Sequence, residues 1–145
     1  MRQKGFTLIE LVFVIIIIGI LSFVALSQWG EVVATSYATQ GKATLAQLRT
    51  ALALDRQRLS SQGENPYRLT LDDASMGAKG IPILEGNSSH PLLEGIKQSE
   101  GVGTWKKTGL TSYVYTLSST ETITLTYDPS TGRVVGSGKS CSLIE

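Results

Sequence analysis

From Phe6 to Trp29 the chain is apolar at most positions, and Glu10 is the one charge in the run. Its 24 residues, at about 1.5 Å of rise each, reach roughly 36 Å, enough for a hydrocarbon core of about 30 Å. The β-branched residues from Val12 to Ile18 favour strand in water, but a lone segment in lipid must satisfy its own backbone groups, which forces helix. Arg2 and Lys4 stand just ahead of the run, where the positive-inside rule puts a cytoplasmic anchor.

Beyond Trp29 the apolar residues thin to one face. Val33, Tyr37, Gly41, Leu45, Leu48, Leu52 and Leu59 recur at helical steps, with a gap at Asp55 and Arg56, while Gln40, Lys42, Gln47, Arg49, Arg56 and Arg58 fall opposite. No proline intervenes before Pro66. The pattern predicts one helix continuing to about Ser61, stopped by Ser60-Ser61-Gln62-Gly63 and Asn65-Pro66, since glycine suits a C-cap and proline cannot extend a helix.

Residues 64–110 are rich in turn formers, with short apolar pieces at Ile81-Pro82-Ile83-Leu84 and Leu92-Leu93. They read as a long connection with a helical turn near Asp72 to Met76. Tyr113 to Leu117 and Thr122 to Tyr127 then alternate as half-buried strands do, and Asp128-Pro129-Ser130-Thr131-Gly132 is a turn before a third strand at Arg133 to Val135. The predicted class is α+β: a long N-terminal helix, membrane-spanning at first and amphipathic later, packed against a small antiparallel meander. Its expected divisions are 1–5, 6–29, 30–62 and 63–145.

Length and charge narrow the function. With 145 residues there is room for one membrane segment and one small globular domain. Basic side chains number 13 against 12 acidic, too even a balance to hold nucleic acid over the whole surface. Cys141 is the sole cysteine, so no intrachain disulfide staples the domain.

A secretory signal peptide places its small-residue cleavage site after the apolar core, whereas here Gly5 precedes it. The stretch Lys4-Gly5-Phe6-Thr7-Leu8-Ile9-Glu10-Leu11, followed by an unbroken apolar run, resembles the type IV prepilin signature shared by type IV pilins and type II secretion pseudopilins. The resemblance covers residues 2–30, a fifth of the chain. It implies a pilin-like fold and cleavage by a prepilin peptidase between Gly5 and Phe6, after which Phe6 becomes the N-methylated first residue. That cut removes Arg2 and Lys4, so the 13 basic groups fall to 11 against 12 acidic.

Glu10 has two readings. A carboxylate inside a membrane helix costs on the order of 2.5–3.5 kcal/mol on insertion scales and so needs a partner; the resemblance supplies one, the amino terminus of an adjacent subunit. The alternative is an acid near the interface that snorkels to water. Ser27 stands where many pilins carry a helix-kinking proline, and Gly19, Gly30 and Gly41 remain as points of local unwinding.

The resemblance further implies a structural subunit, not an enzyme, of a type II secretion pseudopilus or a type IV pilus. Its partners would be like or related subunits, the peptidase, an inner-membrane assembly platform and inner-membrane lipid, with the globular domain in the periplasm until the filament forms. The missing cysteine pair points towards a pseudopilin or minor pilin. The competing function is a DNA-binding minor pilin of a competence pilus, for which Trp105-Lys106-Lys107 with Tyr113, Tyr115 and Tyr127 would make a basic, aromatic surface; strand tyrosines more often pack across strands.

Other signals carry less chemistry, and no cofactor is implied. Gly136-Ser137-Gly138-Lys139-Ser140 lacks both the first glycine of a phosphate loop, where Arg133 stands, and room for the helix that should follow. His90 is the single histidine, with no ligand at zinc spacing. Asp72-Asp73 has no surrounding calcium-loop pattern and reads as the first turn of a short helix. Cys141 has no base beside it in sequence to activate it as a nucleophile.

Overall fold

The computed structural model describes residues 6–88 and 90–143, so the leader expected at residues 1–5 lies outside the described residues. Helix α1 runs without interruption over Leu8–Ser61, 54 residues, through Gly19, Gly30 and Gly41. Four strands follow, β1 Trp105–Lys107, β2 Ser112–Thr116, β3 Thr122–Asp128 and β4 Arg133–Ser137, and a 3₁₀ turn over Cys141–Leu143.

The helix stops where the glycine predicts. Gly63 adopts a left-handed φ of 72°, its N–H meets the Ser60 carbonyl at 3.2 Å, and the Glu64 N–H meets the Leu59 carbonyl at 3.0 Å. These are the paired bonds of a Schellman cap, which satisfy carbonyls the ended helix leaves over.

Two compact units divide the chain, Met1–Thr35 and Ser36–Glu145. Tyr37 and Ala38 are the first helix side chains packed on the core of the second unit. In the first unit every side chain from Phe6 to Leu26 is exposed.

In the second unit Leu45, Leu48, Leu52 and Leu59 are buried, as the helical spacing requires. Each such leucine contributes roughly 1.5–3 kcal/mol by leaving water. The gap in the apolar row is filled rather than open: Asp55 is buried and paired with Arg68. A carboxylate at a core position of α1 is tolerated because a guanidinium comes to meet it.

The sheet is an antiparallel meander in the order β1-β2-β3-β4, one strand more than the pattern predicts. Trp105 opposes Tyr115, which opposes Ile123. Lys107 opposes Tyr113, which opposes Leu125, and Tyr127 opposes Val134. This face is buried and joins the helix leucines in one core. The alternation that marks β2 and β3 is the period-2 signature of a half-buried sheet.

The connection contains no helix at Asp72 to Met76, contrary to expectation. It is laid down instead by short pairings: Gly86 N–H to Leu71 O at 2.8 Å, Ile83 N–H to Ile96 O at 2.8 Å and Gln98 N–H to Ile81 O at 2.8 Å. Leu71, Ile83 and Leu84 are thereby drawn into the core.

Asp72 organises this region. Its Oδ1 accepts from Lys107 Nζ at 2.6 Å and from the Ala74 N–H at 3.0 Å. Its Oδ2 accepts from Tyr113 Oη at 2.8 Å and from the Leu84 N–H at 2.8 Å. Lys107 Nζ also donates to the carbonyls of Ala74 at 3.0 Å and Asp72 at 3.3 Å, so all three of its protons are placed. The two side chains are only 3% and 2% exposed, which explains why such complete satisfaction is needed.

Candidate assembly site

The first turn of α1 is closed by its own residues. Thr7 is the N-cap: its Oγ1 accepts from the Glu10 N–H at 3.3 Å, and its carbonyl accepts from the Leu11 N–H at 3.3 Å. Glu10 reaches back, with Oε2 accepting from the Thr7 N–H at 3.1 Å and from the Thr7 hydroxyl at 3.0 Å. This is a reciprocal capping box, Thr-x-x-Glu, and it meets two N–H groups that a helix start leaves unsatisfied. It was legible in Thr7-Leu8-Ile9-Glu10, but reading Glu10 only as a lone charge in a greasy run passes over Thr7.

Both bonds from Thr7 fall on Oε2, so Oε1 accepts nothing among the described residues. Glu10 also sits where the helix carries partial positive charge, which favours an anion. Phe6, immediately before the cap, is exposed, and the apolar side chains from Leu8 to Leu26 surround the helix on every side. A helix apolar all round is stable only inside lipid or among other apolar chains. It is long and apolar enough to cross a membrane. Within it the Ser22 hydroxyl donates to the Ile18 carbonyl at 2.7 Å, so its proton is met in an apolar setting.

Of the residues expected to carry function, Phe6 and Glu10 stand at one end of α1, while Arg2, Lys4 and Gly5 lie outside the described residues.

The aromatic, basic surface weighed for DNA does not exist. Trp105, Lys107, Tyr113, Tyr115 and Tyr127 are all buried, and the Lys106 ammonium is engaged by Glu100 at 2.6 Å. Bases cannot stack on rings that face a core. Tyr113 donates to Asp72, Tyr115 to the Tyr37 carbonyl at 2.7 Å and Tyr127 to the Arg68 carbonyl at 3.1 Å. Burial raises the pKa of all three, and for Tyr113 the neighbouring Asp72 carboxylate raises it further.

Asp72 likewise is no calcium ligand in waiting, because Lys107 occupies its carboxylate. Among the described residues no group of three histidine, cysteine or acidic side chains is placed to hold a metal. His90 is half-buried in a turn with Asn87, and Cys141 is buried in the terminal 3₁₀ turn.

Residues 1–26 match the family described as the prokaryotic N-terminal methylation motif. The chain is 32% identical over 125 residues to the type IV narrow pilus major component PilA5 of Thermus thermophilus, covering 86% of this chain and 88% of that protein. It is 32% identical over 91 residues to the type IV major fimbrial protein FimA of Dichelobacter nodosus, and 34% over 84 residues to a fimbrial protein of Moraxella nonliquefaciens. The chain spans about half the length of these last two relatives, 56% and 49%. No solved structure matches. An N-terminal methylation motif heads an apolar helix whose later half is packed on an antiparallel meander, and the likeness to a pilus component runs through nearly the whole sequence: the chain belongs to the type IV pilin family.

Proposed function

We propose that this chain is a structural subunit of a type IV pilus, cut between Gly5 and Phe6, N-methylated on Phe6 and polymerised through residues 6–29. The observation that carries the reading is the exposed apolar start of α1, headed by a carboxylate with one oxygen engaged and the other without a partner among the described residues. Packing the apolar surfaces of several copies together removes them from water or lipid, and Oε1 of Glu10 then accepts from the Phe6 amino group of a neighbour. A buried ammonium and carboxylate tolerate an apolar filament core only as a pair.

The role is structural rather than enzymatic. Before assembly, residues 6–29 hold the protomer in the inner membrane with Arg2 and Lys4 on the cytoplasmic side and the globular unit in the periplasm. A prepilin peptidase and an assembly platform act on it there. PilA5, named a type IV narrow pilus major component, and FimA, named a type IV major fimbrial protein, support a pilus over a type II secretion pseudopilus. The absence of a second cysteine favours the pseudopilus, since no disulfide closes the C-terminal region.

Intact-mass measurement on protein from its native host tests the processing: the expected species lacks residues 1–5 and carries one added methyl group on Phe6. Deleting the gene and imaging the cells separates the two filaments. Loss of surface fibres supports the pilus, whereas intact fibres with a block in protein secretion would transfer the chain to the pseudopilus. An uncut, monomeric membrane protein would defeat both.

A further inference from the structure

On the flank of α1 beside β4 lies a groove of about 320 Å³ lined by Arg49, Arg56 and Arg133 over an apolar floor of Leu52 and Val134, with the exposed Val135 at its edge. Arg56 is fixed: Nη2 donates to the carbonyls of Gly132 at 3.0 Å and Thr131 at 3.3 Å, and the guanidinium lies 5.0 Å from the centre of the Tyr67 ring. Gly132 makes this approach possible, since a Cβ there would stand 2.6 Å from Arg56 Nη2. Arg49 and Arg133 are exposed and pair with no acid among the described residues. Asp128 faces Arg133 in the β3–β4 ladder, but its carboxylate is turned to Ser130 and Thr131. Among the described residues no carboxylate lines the groove.

At about 100° per residue, Arg49 and Arg56 project to one side of the buried helix row, and Ala51 and Arg58 to the other. That other flank meets Pro91 and Leu92. Beyond it opens a cleft of about 690 Å³ walled by Asp73, Glu85 and Glu94, with Ile81 exposed beside them and no basic residue in its lining. Among the described residues the groove is thus lined by arginines without acids, and the cleft, which lies beyond the flank that carries Arg58, by acids without bases.

We propose that the Arg49–Arg56–Arg133 groove receives the Asp73–Glu85–Glu94 wall of a second copy of this chain in the filament. The inference rests on the filament-subunit reading above. Unlike surfaces at two separate places on a chain pair head-to-tail between copies, and such contacts extend into open assemblies when the rotation does not close. Guanidinium groups suit the task because they are weakly hydrated and hold carboxylates through two parallel bonds. An apolar floor under arginines is the composition of an interface centre.

The test is made on the full chain in its host. Reversing Arg49→Glu with Arg133→Glu sets like charges against each other, and filament yield by electron microscopy is expected to fall roughly tenfold or more. Adding Asp73→Lys with Glu94→Lys to the same chain is expected to restore it. The milder pair Arg49→Gln with Arg133→Gln should give an intermediate loss, and thermal unfolding in detergent should stay at the wild-type value for every variant, since Arg49, Asp73, Glu94 and Arg133 are all exposed. Unchanged filaments on reversal, or no recovery on the complementary swap, overturns the inference. So does loss of salt-sensitive duplex DNA binding with filaments intact, which would make the groove a phosphate site. If the wild-type chain forms no filament at all, the parent reading fails instead.

Discussion

Glu10 serves two masters at the residue scale. Its Oε2 closes the helix start through Thr7, while its Oε1, without a partner among the described residues, is the atom proposed to meet a neighbouring subunit. Glutamine preserves the capping pattern but carries no charge, so the two roles come apart by substitution. Glu10→Gln is expected to leave protomer helicity in detergent at the wild-type level while filaments become scarce. Glu10→Ala should lose both, with the cap alone costing about 1 kcal/mol of local helix stability. Circular dichroism and filament counts on the same preparations check this, and abundant filaments from Glu10→Gln would remove the charge from the mechanism.

Among the elements, β1 and the connection before it hang on Asp72 and Lys107. The carboxylate has three donors besides the lysine, from Ala74, Leu84 and Tyr113, whereas the ammonium has only carbonyls once the carboxylate is gone. Asp72→Ala therefore leaves an uncompensated buried cation and is expected to cost about 3–5 kcal/mol. Lys107→Met leaves an anion still held by three protons and should cost less. Urea unfolding of the detergent-solubilised chain gives the order directly; equal losses, or the reverse order, would show that the pair does not organise the region. The strand was hidden in the sequence for the same reason. Trp105-Lys106-Lys107 is three residues long and two-thirds charged, and nothing nearby announces that one lysine turns inward to an aspartate 35 residues earlier.

For the whole molecule, the core holds three phenols: Tyr113, Tyr115 and Tyr127 are buried, and burial raises their pKa values. A raised folded pKa means the neutral form is favoured in the fold. The stabilisation is complete below the unfolded value of about 10 and is lost as pH climbs above it. Alkaline titration should therefore show tyrosinate absorbance from these three rising together with loss of far-ultraviolet signal, in one cooperative step; gradual ionisation of the intact fold would refute their burial. Much of the plan was written in local pattern. The greasy run, the helical row from Leu45 to Leu59, the glycine stop, the alternation of β2 and β3 and the Asp128 turn are each dictated by a short stretch of chain, because periodicity and turn chemistry act between near neighbours. The prepilin-like start was equally legible, since Gly5, Phe6 and Glu10 lie within six consecutive positions. What tertiary structure alone decided are the contacts made at a distance: Asp55 entering the core to meet Arg68, Lys107 folding in to Asp72, the tyrosines facing the helix instead of nucleic acid, and arginines from α1 and β4 meeting in one groove. A charged side chain reads as solvent-facing until its counter-charge is placed beside it, and only the folded chain brings the two together.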